Sequence, residues 1–336
     1  MKDFEIIQDR NQKLSKLSSE MNIKQSYPLI KEAEIKKHLY RALQDAVGAY
    51  INSCLIYNGV ETDFSNYEEM IAKYRDEIFN LPNVTSPNGI IKPKLEISAE
   101  YNLIHSKVVD IIKSFGIDNQ INGMRLPISI RIVDGEEPND SKSARANNIM
   151  HSDFWTGGCC DLAFLVPLFG DIERTTVKFA EPIGMKKDFL TELPSYSMGA
   201  DLYEDYKMYD MAMRKGFLYL QDIYCLHGTW REGGGPRVSM DWTVQTTNYP
   251  EIEEKYSNDA LSSDNHYDVD TWNKAGKDIF YFDFESMEES KKYPKFGSNF
   301  DRDTKLGASV HHQIGQKAKF ISAKNSESFL KIARRS

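Results

Sequence analysis

The chain has 336 residues, 40% of them hydrophobic and 27% charged, and a net charge of −8. That composition is ordinary for a globular protein with a sizeable core, and the acidic balance argues against nucleic acid or anionic membrane headgroups as partners. No apolar run approaches membrane-spanning length, Met1-Lys2-Asp3-Phe4-Glu5 opens no secretory signal, and Cys54, Cys159, Cys160 and Cys225 suggest no disulfide framework, so a reduced cytoplasmic protein is expected.

Residues 1–90 read as helical. Over Lys31–Leu55 the apolar residues Ile35, Leu39, Leu43, Val47, Tyr50, Ile51 and Cys54 fall on one helical stripe. Ser65-Asn66-Tyr67-Glu68 has the form of a capping box and opens a helix to about Leu81, before Pro82 and Pro87-Asn88-Gly89 break the chain. A further helix is expected over Ala99–Phe115, with Ile104, Val108, Ile111 and Phe115 on one face. All these helices are expected to pack outside a sheet.

From Leu126 the period changes to that of strands. Pro127–Val133, Asn148–Trp155, Leu162–Leu168, Thr176–Phe179, Phe217–Leu220, Ile223–Trp230 and Val238–Thr246 read as short strands with turn residues between several of them, which suggests an antiparallel sandwich or barrel. Ser195–Lys215 is rich in Tyr and Met and reads as an insertion with a helix over Asp201–Arg214, its stripe serving packing. Beyond Pro250 the chain turns polar, with one aromatic island at Phe280–Phe284 and short helices at Met287–Lys292 and Ser326–Arg335. The expected organisation is a helical region over 1–120, a β core over 121–250 with an insertion at 183–215, and a wrapping extension of loops and short helices over 251–336.

Three residues within the β core carry chemistry. His151 and Asp153 are two apart, and on a strand they would share a face. His227 lies on an apolar stretch and is better placed than His38 and His105, on expected helices, or than His266, His311 and His312 in the polar tail. Two imidazoles and one carboxylate on one side of a metal are the ligand set of non-haem Fe(II) oxygenases. Arg237 follows His227 by ten positions, and Ser239 shares its strand face. An Arg fork pairs a carboxylate bidentately, and a hydroxyl beside it adds a donor.

Over roughly residues 125–247 this pattern resembles the iron(II)- and 2-oxoglutarate-dependent dioxygenases, with some likeness to their phytanoyl-hydroxylase-like branch around Met150–Trp155. The resemblance implies a mostly β core folded as a double-stranded β-helix, a jelly-roll or cupin-like architecture, with His151, Asp153 and His227 on Fe(II). It implies Arg237 and Ser239 on the 2-oxoglutarate cosubstrate, O2 as oxidant, and release of succinate and CO2. It further implies hydroxylation, desaturation or cyclisation at an unactivated C–H bond. The family's halogenating members carry Gly or Ala where this chain has Asp153, which argues for hydroxylation or its relatives. Trp155, Arg131 and Thr229 are candidates for contact with a small polar metabolite, sugar or natural-product intermediate. A Zn-dependent hydrolase or lyase could use the same three ligands, leaving Arg237 and Ser239 without a role, and a cupin-like binding module would hold neither metal nor cosubstrate. The oligomeric state stays open, with a homodimer as one alternative.

Overall fold

The computed structural model describes residues 2–84, 89–91, 97–125, 128–136, 148–157, 162–191, 193, 195–246 and, further on, 266–267, 269, 272, 279–282 and 318–321. In chain order the elements are α1 (Asp3–Leu17), β1 (Ile23–Tyr27), β2 (Ile30–Glu34), α2 (Lys37–Tyr57), α3 (Tyr67–Lys73), α4 (Arg75–Phe79), β3 (Ile90–Ile91) and α5 (Ser98–Ser114). Then come β4 (Ile121–Arg125), β5 (Ser129–Gly135), α6 (Phe154–Gly157), β6 (Leu162–Gly170), β7 (Thr175–Ile183), a 3-10 turn (Tyr196–Leu202), β8 (Asp205–Met208), β9 (Phe217–Asp222), β10 (Leu226–Arg231) and β11 (Gly234–Thr246). Three short strands follow: β12 (His266–Tyr267), β13 (Ile279–Phe282) and β14 (Ala318–Ile321).

Two antiparallel sheets form the centre. In the larger, β11 pairs with β6 along one edge and with β5 and then β4 along the other, and β6 leads on to β9, β2 and β1. The smaller is β10-β7-β8, widened by a single bridge between His151 and His227. If β5, the His151 segment and β6 through β11 are numbered one to eight, the larger sheet holds 1, 8, 3 and 6 and the smaller 2, 7, 4 and 5. That alternation between facing sheets is the double-stranded β-helix.

The outer face of the larger sheet carries the helices. Val238, Met240, Trp242 and Val244 of β11, Phe164 and Val166 of β6, and Leu218 and Leu220 of β9 share one core with Leu43, Val47, Tyr50 and Ile51 of α2 and Ile104, Val108 and Ile111 of α5. The period of two on the strands and of about 3.6 on the helices makes this one apolar layer. Among the described residues, no helix is long and apolar enough to cross a membrane.

Several expectations fail locally. The helix expected from Lys31 begins at Lys37, and the preceding segment is the hairpin β1–β2, which extends the larger sheet beside β9. Ile30-Lys31-Glu32-Ala33-Glu34 has good helix formers, but tertiary partners override that preference: buried Lys31 donates to Asn11 Oδ1 at 2.8 Å and Ser26 Oγ at 2.7 Å, and Glu32 pairs with Arg214. The helix expected from Ser65 is capped one residue later, by Asn66 accepting from Glu69 N, and is divided at Tyr74. No helix covers Asp201–Arg214; a 3-10 turn precedes β8, whose Asp-Tyr-Lys-Met alternates exposed and half-buried along the edge of β7. The strand expected over Asn148–Trp155 is one bridge pair followed by α6, because Ser152 Oγ accepts from Phe154 N and turns the chain. In the polar tail β12 pairs with β4, and β13 with β14, where loops and helices were expected. The expected helices at Met287–Lys292 and Ser326–Arg335, and Cys159 and Cys160, lie outside the described residues.

Candidate metal centre

His151 and His227 face one another directly across the smaller sheet. Each backbone N–H donates to the other's carbonyl at 2.9 Å, so they form a hydrogen-bonded antiparallel pair whose side chains leave on the same side. Their ring centroids are 4.3 Å apart. Asp153 reaches the same point from the turn after the bridge rather than from a strand, and its Oδ1 lies 3.4 Å from His227 Nε2. One donor atom from each of the three falls within 4.8 Å of the others. The site is a facial triad of two histidines and one carboxylate.

The surroundings set the protonation that a metal requires. His151 Nδ1 donates to Ile149 O at 2.6 Å, which leaves Nε2 with its lone pair toward the centre. Burial, and then the neighbouring His227, push His151 down to about 3, so it is neutral. Burial works to raise Asp153, but the imidazoles of His227 and His151 and the Arg131 guanidinium hold it well below the usual carboxylate range. With His151 neutral and Asp153 ionised, the two imidazoles and one carboxylate form a nitrogen and oxygen donor set that suits Fe(II).

Inside the barrel, β11 sends Arg237, Ser239 and Asp241 toward the smaller sheet. Ser239 is opposite Arg131 of β5 and Pro167 of β6, and Asp241 is opposite Ser129 and Leu165. Arg237 is 2% exposed and Ser239 0%. Arg237 Nη1 donates to Thr175 O at 3.2 Å, but among the described residues its Nε has no partner, and neither has Ser239 Oγ. Burial, and then Arg231 and Arg131, push the Arg237 guanidinium down to about 9. A buried cation beside two other cations, with an orphaned N–H and an orphaned hydroxyl at hand, is a receptor for an anion. The far carboxylate of 2-oxoglutarate fits it.

Arg131 is ion-paired with Asp241 through Nε, and its Nη2 donates to Asp241 Oδ1 at 3.4 Å. Burial works to lower Arg131, and Asp241 outweighs it and raises the guanidinium. Thr229 is 6% exposed and lies two residues beyond His227 on β10, opposite Val177. Trp155 is fully buried, with its indole N–H donating to Phe189 O at 2.8 Å, and it packs against Phe189 and Tyr203. Gly199 meets it so closely that a Cβ there would fall 2.0 Å from the ring.

Three participants escape sequence reasoning. Tyr196 stacks on His151 at 3.8 Å between ring centroids, and nothing in the Tyr- and Met-rich run distinguishes it from its neighbours. Gln221 donates to Asp153 Oδ2 at 3.1 Å, and its amide is 3.4 Å from His227 Nδ1. A strand ended at Leu220 leaves it out, although a polar residue in an apolar run, two after Tyr219, is a usable signal. Ser152 Oγ donates to Ile223 O at 2.5 Å and ties the two ligand-bearing segments together.

No protein-family model matches the chain, and no curated protein does. Solved structures similar to it include the non-haem α-ketoglutarate-dependent carbocyclase SnoK from nogalamycin biosynthesis, at 13% identity and TM-score 0.35 over 71% of this chain and 86% of that one. AviO1 from Streptomyces viridochromogenes is similar at 12% identity and TM-score 0.36 over 66% and 92%. EctD from S. alaskensis is similar at 14% identity and TM-score 0.30 over 66% and 75%. At these values nothing about this chain's substrate is taken from them. The strand order and the three ligands are themselves those expected of an Fe(II)/2-oxoglutarate oxygenase.

Proposed function

We propose that this chain is an Fe(II)- and 2-oxoglutarate-dependent oxygenase that hydroxylates, desaturates or cyclises a small polar metabolite, sugar or natural-product intermediate. The observation that carries the reading is the pairing of a facial triad with a buried, anion-hungry pair of donors, Arg237 Nε and Ser239 Oγ, inside one barrel. When bound, Fe(II) and 2-oxoglutarate supply activation of O2 coupled to decarboxylation of the keto acid to succinate and CO2.

The chain's own residues bind and orient. His151, Asp153 and His227 would hold the metal, each through one donor atom. Arg237 grips the far carboxylate of 2-oxoglutarate through its fork, and Ser239 donates a further hydrogen bond. Arg131, held by Asp241, and Thr229 are assigned to the substrate's polar groups, and Trp155, buried against Phe189 and Tyr203, to an apolar wall beside the site. Such a reaction fits a reduced, cytoplasmic compartment.

The test is an anaerobic titration of the protein with Fe(II) and 2-oxoglutarate. A weak visible charge-transfer band is expected for the parent and is expected to vanish in His151→Ala and in Asp153→Ala. A band of full strength in both variants would refute the ligand assignment.

A further inference from the structure

Between β9 and β10 the chain makes a tight turn, closed by Cys225 N donating to Asp222 O at 2.9 Å. It carries the polypeptide from the larger sheet to the smaller, and its surroundings touch the metal centre three times. Gln221, just before it, donates to Asp153. Ile223 O, within it, accepts from Ser152, between the two ligands of the first segment. His227 follows two residues after it.

This turn is gripped from outside the barrel. The Asp222 carboxylate is fully buried, and Arg10 of α1, 7% exposed, donates from Nε to Oδ1 at 2.8 Å and to Oδ2 at 2.9 Å. The same guanidinium lies 4.3 Å over the Tyr224 ring, and Tyr224 N donates to Asp222 Oδ1 at 2.7 Å. Asp222 N donates to Leu29 O, at the bend between β1 and β2. So α1 and the first hairpin, neither of them among the eight barrel strands, hold the turn that delivers one histidine ligand and two supports of the carboxylate ligand.

We propose that Arg10 is a positioning residue for the metal centre, acting through the Arg10–Asp222 pair. The proposal rests on the reading of His151, Asp153 and His227 as metal ligands. The physical ground is that partners behind metal ligands set affinity by fixing the ligands before the ion arrives. A turn free to shift by a fraction of an ångström would take Gln221 off Asp153 and move His227 relative to His151.

The experiment uses the full chain and Co(II) as probe, without 2-oxoglutarate or O2, followed by visible absorbance, with thermal melting of the metal-free protein alongside. Arg10→Lys keeps the charge and loses the Nε–H shared between both carboxylate oxygens and the planar group over Tyr224. Its Co(II) dissociation constant is expected to rise about tenfold. As a control, Tyr40→Phe removes a buried hydrogen bond from α2 to Pro167 O, 2.8 Å in the parent, and is expected to lower the melting temperature without moving Co(II) affinity. If Arg10→Lys does not fold, the double variant Arg10→Met with Asp222→Asn removes both buried charges and is expected to show the same loss of affinity. An unchanged Co(II) dissociation constant in a folded variant, with a lowered melting temperature, would overturn the proposal by making the pair purely structural. Failure of the parent to bind Co(II) is a different result, which would overturn the metal centre itself.

Discussion

Successive residues of β11 enter two interiors. Val238, Met240, Trp242 and Val244 go outward under α2 and α5, each 2% exposed or less, and Arg237 and Ser239 go inward, just as buried. The outward side chains are apolar and meet apolar partners, apart from an N–H on Trp242 that has no partner among the described residues. The inward pair keeps a guanidinium N–H and a hydroxyl with no partner among the described residues, and burial disfavours the charge on Arg237. Burial on the outer face stabilises the fold; burial on the inner face costs stability until an anion arrives. With Arg237 and Ser239 receiving the cosubstrate as proposed, the same strand carries the molecule's stability on one side and its ligand affinity on the other.

Substitutions on the two sides should separate those properties. Met240→Ala, fully buried on the outer face, is expected to destabilise the protein by about 2–5 kcal/mol and to leave the half-saturating 2-oxoglutarate concentration unchanged. Arg237→Met should do the reverse. Taking a poorly compensated buried cation to an apolar side chain is expected to leave the melting temperature of the ligand-free protein unchanged or raised. The 2-oxoglutarate requirement should rise about 100-fold, as expected when one partner of a buried charge pair is removed. Thermal melting and titration of the anaerobic Fe(II) charge-transfer band measure both quantities in each variant. Loss of stability in Arg237→Met with unchanged 2-oxoglutarate dependence would erase the distinction between the faces.

The outer layer also holds a buried ionisable group with no part in the chemistry. His105 of α5 is fully buried, edge-on to Tyr101 and Trp272, and burial pushes it down to about 3. The unfolded chain titrates this group near 6.5, so between about 6.5 and 3 the unfolded state binds more protons than the folded one. Stability is therefore lost as pH falls through that window, at about 1.4 kcal/mol per pH unit for this one group. His105→Phe keeps a ring at the position and should flatten the acid limb of the stability curve by that slope. Denaturant melts at pH 6, 5 and 4 give the slope directly, and an unchanged slope would mean that His105 is already charged in the folded state.

What sequence could show follows the same division. The outer face was legible wherever its period ran unbroken: α5 and the strands β6 and β11 appear within a few residues of their expected places. The hairpin β1–β2 was not, because Lys31 and Glu32 are buried against partners far along the chain and read locally as a helix surface. Of the site, His151, Asp153 and His227 were legible by type and spacing, and the structure brings them together. The reason given for Asp153 was wrong, since Ser152 turns the chain and the carboxylate arrives from a turn. Tyr196 and Arg10 were invisible because each acts through a contact across the fold that no local pattern encodes, whereas Gln221 left a local trace as a polar residue in an apolar run.

The finest test of the comparison is Ser239→Ala. The hydroxyl is fully buried and has no partner among the described residues, so removing it deletes an unsatisfied polar atom and opens a space of about one oxygen. If the hydroxyl were part of the fold's support, its loss would lower the melting temperature. If it waits for a ligand, the ligand-free protein should melt unchanged or slightly higher, because an unmet desolvation cost is relieved. The cosubstrate should then bind about fivefold more weakly, the worth of one hydrogen bond of about 1 kcal/mol. Measured in the Arg237→Met background, the same change should cost less than in the parent, since a carboxylate no longer gripped by the guanidinium is not held against the hydroxyl. Full additivity of the two losses would mean that Arg237 and Ser239 do not share one carboxylate.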